Sequence, residues 1–258
     1  MALDVETVPL PASKTLLTEL WSIWSNGLDI FRRNFEALRD ELAAATWRRF
    51  FLTIISTIFL GQGLYRLLLG LFDKLIFERS GRPFPNLGSY WVVLTAWSTV
   101  TSALINIPFV LLVAYLSYYW VSHQDEESHW VQEAQMLAST WTITSICIHL
   151  VNILGLIVIF LSTRNPETFA LHPNISKGTI AILNFVFYGL LTAPFVAYRY
   201  NLRLHGNRIL NGLTGRDRWI LLGFQIIMLE GGTLFVSRFL LHLPIVENLY
   251  QQLLRFTM

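Results

Sequence analysis

Five long apolar stretches constrain this chain more than any other feature of its sequence. They cover residues 50–72, 91–118, 137–161, 179–198 and 219–243. A transmembrane helix needs about 20 consecutive, predominantly apolar residues, and each stretch reaches that length. None alternates with the period of two that a transmembrane strand requires, so helices are the expected structure. The sequence therefore predicts an all-α, polytopic membrane helix bundle with about five transmembrane helices within residues 47–243.

The composition agrees with a membrane protein and argues against other classes. Hydrophobic residues make up 53% of the 258 residues and charged residues only 14%, whereas soluble domains carry about 25% charged residues. The formal net charge is +2 and no basic run is interleaved with aromatic residues, so we expect no nucleic-acid partner. The single cysteine, Cys147, cannot form an internal disulfide. The expected partners are membrane lipids and other membrane proteins, or further copies of this chain.

Basic residues near the span ends predict the orientation of the bundle. With five spans, the segment before the first span and the loops around residues 119–136 and 199–218 share one side of the membrane. That side holds eleven Lys and Arg residues, and the other side holds six. Because basic residues accumulate on the cytoplasmic side, the N-terminus is predicted to be cytoplasmic. Arg199 and Arg203, just after the fourth span, are expected to contact anionic lipid headgroups.

Two further points concern targeting and the first span. The N-terminal residues lack a basic region followed by an apolar core, so no cleavable signal peptide is expected and a spanning segment directs insertion. Among endomembranes, the endoplasmic reticulum is favoured. Arg66 and the Gly61-Gln62-Gly63 sequence lie inside the first stretch, so a re-entrant hairpin there is an alternative that would move the C-terminus to the other side.

A patterned but polar segment over residues 14–46 precedes the first span and follows a flexible tail over residues 1–13. Its apolar periodicity predicts an amphipathic helix outside the bilayer, interrupted at Asn26-Gly27. The charged outer face, which includes Glu41, is nearly balanced, so three roles stay open: packing on the membrane surface or on the protein's own loops, docking a partner protein, or sensing curvature. A second, shorter amphipathic helix is expected over residues 244–258. The apolar residues of the first segment are Leu17, Trp21, Trp24, Leu28, Phe31, Phe35, Leu38 and Leu42.

Glu230 is the most informative single residue, because it lies near the middle of the fifth predicted span. A charge at that depth costs roughly 2.5–3.5 kcal/mol on insertion scales, so it normally faces another helix, water or an opposite charge. The partners that the sequence suggests are Arg66, Arg238 and His149. Both a structural ion pair and a carboxyl group that exchanges protons during transport are compatible with this position.

Polar residues also form stripes on two other predicted spans. His149 and Asn152 continue a stripe on the third span, and Asn106 ends a stripe on the second. Such residues commonly join membrane helices through hydrogen bonds, although they can also line a polar path. The other members of the two stripes are Thr142, Ser145, Thr95, Ser98 and Ser102. The candidate intramembrane polar site consists of Glu230, Arg66, Arg238, His149, Asn152 and Asn106.

Recognisable catalytic, metal-binding and cofactor-binding motifs are absent from the sequence. Glu126 and His129 have the Glu-x-x-His spacing of carboxylate-bridged metal sites, but those sites need two such motifs and further carboxylates. No H-E-x-x-H, G-x-S-x-G or phosphate-binding G-x-x-x-x-G-K-[ST] pattern occurs. We therefore expect no catalytic residue, no metal and no cofactor. An intramembrane enzyme acting on lipid would need His149 or His242 beside a carboxyl group.

The leading hypothesis is a non-enzymatic, multi-pass integral membrane protein. It would act as an assembly or scaffold subunit of a membrane complex, or through binding of lipids or partners, because apolar-faced helices lie outside the spans and catalytic motifs are missing. The alternative is a small proton-coupled carrier or channel. It would use Glu230 and the polar stripe that contains His149 and Asn152 as its path.

Overall fold

The computed structural model describes residues 15–79, 86–121, 130–165, 174–206, 213 and 215–233, together with the isolated positions Phe235, Val236, Phe239, Asn248 and Gln252. Within these residues the chain forms helices and no β-strand, which confirms the prediction of an all-α bundle. The α-helices are α1 (Leu16–Phe31), α2 (Phe35–Ala43), α3 (Trp47–Arg79), α4 (Leu87–Val121), α5 (Trp130–Thr163), α6 (Lys177–Asn184), α7 (Ala193–Gly206) and α8 (Gly215–Ile226). Two π-helical segments continue α6 and α8, namely Phe185–Leu190 and Ile227–Gly232.

Three of the described helices are long and apolar enough to cross a membrane. They are Trp47–Ile76 within α3, Leu87–Trp120 within α4 and Trp130–Thr163 within α5. Each is 30 or 34 residues long, which exceeds the roughly 20 residues that a bilayer requires. These helices contain the first three predicted spans, and α4 continues through Pro108 as a single helix.

The last two predicted spans have a different form. The fourth is divided among α6, the first π-helical segment, a turn at residues 191–192, and α7. The fifth begins as α8 and its π-helical segment, and beyond Thr233 only isolated positions are described. The count of five crossings therefore stays a prediction, as do the tail over residues 1–13 and the C-terminal helix over residues 244–258, which lie outside the described residues apart from Asn248 and Gln252.

Neighbouring segments of the bundle run in alternating directions. α4 is antiparallel to α3, while α5 is parallel to α3. The stretch from α6 to α7 is antiparallel to α5, and α8 with its π-helical segment is antiparallel to α4. The contacts that establish these directions are Gly63–Trp91, Gly70–Leu87, Thr53–Gln135, Phe72–Phe160, Leu137–Arg203, Gly155–Phe187, Ser117–Gln225 and Phe109–Gly232.

The N-terminal part of α5 is the most deeply buried part of the described chain. Every residue from Glu133 to Thr140 is buried, although helices usually leave one face uncovered. α1, α2, α3, α4 and α7 all pack on α5. Its Ala134 and Leu137 belong to a core cluster with Phe50, Ile54 and Val113 of the neighbouring helices. This end of the bundle therefore holds its helices together most tightly.

The amphipathic segment before the first span forms two helices, α1 and α2. Thr15 and Asn34 cap their N-termini with side-chain oxygens. The break lies at residues 32–34, where Arg33 has a positive φ of 65°, and the predicted interruption at Asn26-Gly27 is wrong. Gly27 instead continues α1 and allows this helix to pack closely against α5. A Cβ atom at that position would lie 2.7 Å from Oγ1 of Thr142 in α5.

α1 presents its apolar residues on two sides. Ile23 and Ile30 are 2% and 1% exposed and face the bundle. Leu17 and Trp21, two members of the predicted apolar face, are each 78% exposed. The inward face of α1 therefore differs from the one that the spacing of the larger apolar residues suggested.

Replacing Gly27 with Ala should destabilise the protein by about 1–3 kcal/mol, because Thr142 is buried and cannot move aside freely. The matched control is Gly223→Ala in α8, where nothing lies within 4 Å of the added Cβ. In that helix the change should stabilise by up to about 1 kcal/mol, as alanine does in an unobstructed helix. Thermal unfolding in detergent measures both effects. Equal responses of the two variants would contradict the close packing of α1 on α5.

Candidate functional site

Glu230 forms an ion pair with an arginine that the sequence did not suggest. Its Oε1 accepts a hydrogen bond from Nη1 of Arg199 at 2.6 Å and another from the Tyr200 hydroxyl at 3.2 Å. Glu230 lies in the π-helical segment after α8, while its two partners lie on α7. Gly232, two residues later, lets this segment approach Phe109 of α4, since an added Cβ would lie 2.7 Å from that ring. The close approach to α4 and the contact with α7 together position the carboxylate.

Arg199 and Arg203 of α7 are buried inside the bundle, each 3% exposed. The expectation that they contact lipid headgroups is therefore wrong. They are four residues apart and lie on one helical face, opposite two threonines of α5. Arg199 Nε donates to Thr144 Oγ1 at 3.1 Å, and Arg203 Nε donates to Thr140 Oγ1 at 2.9 Å. The two guanidinium groups thus connect α7 to α5 in two successive helical turns.

Aromatic rings and a backbone carbonyl complete the surroundings of these arginines. The guanidinium of Arg199 lies 5.8 Å from the ring centroid of Trp141, and that of Arg203 lies 4.8 Å from the ring of Tyr200. Arg203 Nη2 also donates to the carbonyl oxygen of Leu137 at 3.2 Å. Cation–π contacts of this kind stabilise a desolvated arginine by about 2 kcal/mol. These contacts therefore offset part of the cost of burying the two guanidinium groups.

A small cavity of about 60 Å³ lies between these groups and α4. Drug-sized ligands occupy pockets of about 300–1,000 Å³, so this space is too small for a ligand of that size. It is large enough for water molecules. The residues that line the cavity are Asn106, Val110, Leu137, Trp141, Arg199, Arg203, Leu229, Glu230 and Thr233.

Only part of the sequence-derived candidate site comes together around this cavity. Asn106 lines it with Glu230. Arg66 lies between α3 and α4, where its Nε donates to Ser98 Oγ at 2.9 Å. Arg238 lies outside the residues whose side chains the structure describes.

The remaining two candidates lie farther along α5. His149 Nδ1 is 2.8 Å from the carbonyl oxygen of Ser145 in the same helix, and its ring packs on Tyr65 and against Gly61. Asn152 has a buried Oδ1 without a hydrogen-bond partner among the described residues. Both polar stripes therefore contact α3, through Ser98 and Ser102 on one side and His149 on the other, and they do not form one continuous site with Glu230.

A second buried ion pair joins the amphipathic segment to the bundle. Arg49 of α3 makes a bidentate contact with Glu41 of α2, with Nε 2.7 Å from Oε1 and Nη2 2.6 Å from Oε2. Gln135 of α5 donates to Glu41 Oε1 at 2.6 Å, and Asn26 of α1 donates to Oε2 at 2.8 Å. Glu41 is 1% exposed, so its expected place on a charged outer face is wrong. Four helices meet at this carboxylate.

Comparisons with protein-family models, with curated proteins and with solved structures found no match to this chain. In the parts of the chain that the structure describes, no group of three or more His, Cys, Asp or Glu side chains is arranged to hold a metal ion. Glu126 and His129, the pair with metal-site spacing, lie outside those parts.

Proposed function

We propose that this protein is a non-enzymatic, multi-pass integral membrane protein that acts as an assembly or scaffold subunit of a membrane complex. The observation that carries the proposal is an apolar stripe on the outward side of α1. Leu17 and Trp21 are each 78% exposed and Leu28 is 39% exposed. Their spacings of four and seven residues place them on one helical face. Contiguous exposed apolar surface of this kind typically marks an interaction site.

The position of α1 supports a role at the membrane boundary. Leu16 and Leu20 line a groove with Phe51 and Ile55, close to the start of the first predicted span. Farther along α1, Gly27 packs against α5 near the start of the third predicted span. α1 thus crosses the bundle near the level where both predicted spans begin. A partner bound there would contact the protein beside the lipid headgroups.

The charge of α1 favours a protein partner over an anionic lipid surface. Helices that bind anionic membranes usually carry a polar face rich in Lys and Arg. α1 contains Glu19 and Asp29 and no basic residue. The proposed partner is therefore an apolar groove or helix face that accepts the stripe, in the way amphipathic helices dock into hydrophobic grooves.

The ion pairs between helices also support a scaffold. Glu230 and Glu41 each engage an arginine at 2.6 Å together with neutral hydrogen-bond donors. Ion pairs that join neighbouring helices in this way provide a rigid support for an external helix. We further propose the endoplasmic reticulum membrane with a cytoplasmic N-terminus. The orientation rests on the eleven basic residues of that predicted side against six on the other; among the residues that the structure describes, Arg49, Arg199 and Arg203 of that side are buried.

Replacing Trp21 with Asp should release the partner without unfolding the protein, because the side chain is exposed. The matched control is Ala43→Asp, which adds the same charge at an exposed position of α2, outside the stripe. The mass of the complex extracted from native membranes in mild detergent measures the effect. We expect the wild type and the Ala43 variant to exceed the monomer mass and the Trp21 variant to approach it. A monomeric wild type, or an unchanged Trp21 variant, would contradict the scaffold proposal.

A second candidate function is a proton-coupled carrier or channel, supported by the cavity that Glu230 shares with Asn106. The Glu230 side chain is 31% exposed, so the carboxylate is less enclosed than Arg199, its partner. A carboxyl group in this position can exchange protons if the ion pair opens. Such a carrier would pass protons along the space between α4, α5 and α7.

The carrier proposal predicts proton flux into liposomes that contain the purified protein and a trapped pH-sensitive dye. Glu230→Gln should abolish the flux, because an amide cannot carry the proton. Glu36→Gln, at an exposed position of α2, should leave it unchanged. A wild-type rate equal to that of protein-free liposomes would contradict the carrier proposal.

A further inference from the structure

A pocket much larger than the one beside Glu230 lies at the opposite end of the bundle from α1. It has a volume of about 330 Å³ and is formed by α3, α5 and the short helix α6. This volume is within the range of about 300–1,000 Å³ that organic ligands occupy. Most of the side chains that line it are apolar, and the two charged ones are Asp73 of α3 and Arg164, the residue that follows α5.

The polar groups of this pocket lie toward one of its ends. α3 and α5 are parallel, and the rings of Phe72 and Phe160 meet edge to face between them. Leu69 and Leu156, which precede these rings in their helices, line an apolar end. The two charged residues follow the rings and line the other end. The pocket therefore matches a ligand with one apolar and one charged part.

The charged end of the pocket coincides with the end of two membrane-length helices. The part of α3 that is apolar enough to cross a membrane ends at Ile76, and the corresponding part of α5 ends at Thr163, directly before Arg164. At 1.5 Å of rise per residue, Asp73 lies only about 4.5 Å along the axis from the end of its helix segment. A ligand with its charges here and its apolar part deeper has the layout of a membrane lipid.

Asp73 has only weak interactions within the described part of the chain. Its Oδ2 accepts one hydrogen bond, from the Tyr90 hydroxyl at 3.4 Å, and Arg66 contributes a longer-range electrostatic attraction. No nitrogen of a described Lys or Arg lies within 4 Å of the carboxylate. The side chain is partly exposed and lines the pocket. Because carboxylates at membrane depth normally pair with a cation or face water, Asp73 favours a ligand with a positively charged donor.

Arg164 supplies the opposite charge at the same end of the pocket. Its guanidinium lies 5.5 Å from the ring centroid of Phe160, and the residue is partly exposed. The planar guanidinium matches the oxygens of a phosphate group. One carboxylate and one guanidinium complement a headgroup that carries both charges. A purely anionic lipid would suit Arg164, but it would bring a negative charge close to Asp73.

We propose that this pocket binds a zwitterionic phospholipid with a primary amine in its headgroup. The ammonium group donates to Asp73, the phosphate accepts from Arg164, and the beginning of one acyl chain lies against Leu69 and Leu156. The rest of the lipid remains in the surrounding bilayer. This site is at the other end of the bundle from the stripe on α1, so it stands or falls separately from the scaffold function.

The test uses the full-length protein in mixed detergent micelles, with dioleoyl phosphatidylethanolamine and dioleoyl phosphatidylglycerol as probes. Both lipids have the same acyl chains and a phosphate, and only the first has an ammonium group. Thermal unfolding during a lipid titration gives an apparent Kd, because a ligand of the folded state raises the melting temperature. We expect the ethanolamine lipid to bind at least about tenfold more tightly, since its ammonium forms a charge-assisted hydrogen bond. Equal affinities, or no saturable rise with the ethanolamine lipid, would overturn the proposal.

Two variants locate the bound lipid. Asp73→Asn keeps the size of the side chain and removes its charge, so the preference for the ethanolamine lipid should disappear. Arg164→Gln should weaken the binding of both lipids, because both carry the phosphate. The matched control is Glu78→Gln in α3, which removes a charge at a side chain that is 56% exposed and outside the pocket, and should keep the preference. A preference that survives in the Asp73 variant, or unchanged binding in the Arg164 variant, would overturn the assignment to this pocket.

Discussion

Arginine side chains buried inside an apolar bundle need partners, and this requirement organises the whole structure. Arg199 and Arg203 of α7 donate to two threonines of α5, and Arg49 of α3 reaches the same helix through Glu41. α5 is the common support, because residues 133–140 are buried on every side. The ion pairs and hydrogen bonds therefore join α1, α2, α3, α7 and the π-helical segment after α8 to the N-terminal half of α5. They support the outward stripe of α1 on a rigid bundle.

The class of fold was predictable from the sequence, whereas the inward face of α1 was not. Long apolar stretches form helices in a membrane whatever their neighbours, because each backbone N–H and C=O group must find its hydrogen-bond partner within its own segment. On α1, Leu17 and Trp21 follow a regular helical spacing, yet the smaller Ile23 and Ile30 face the bundle. Periodicity identifies an apolar face, but the shape of the neighbouring helix decides which face packs. Here that shape is set by the close approach at Gly27.

The candidate site was predictable only in part, for a related reason. The position of Glu230 in an apolar stretch correctly indicated the need for a partner, but the partner depends on which helices adjoin. Arg199 follows an apolar stretch and resembles an ordinary topology determinant in the sequence. Its four-residue spacing from Arg203 was the one available signal, since it places both on one helical face. Arg66 and His149, two of the three partners that the sequence suggests, bond to groups on α4 and within α5.

Glu230 and Arg199 stabilise the bundle as a coupled pair, and a double-mutant cycle on the free energy of unfolding tests this coupling most directly. The variants are Glu230→Gln, Arg199→Gln and the double replacement, unfolded by denaturant in mixed micelles. Residues in direct contact within one ion-pair network show interaction energies of about 0.5–3 kcal/mol. We predict a coupling of at least about 1 kcal/mol, with the double variant less destabilised than the sum of the single ones. Additive effects, to within about 0.5 kcal/mol, would contradict the account.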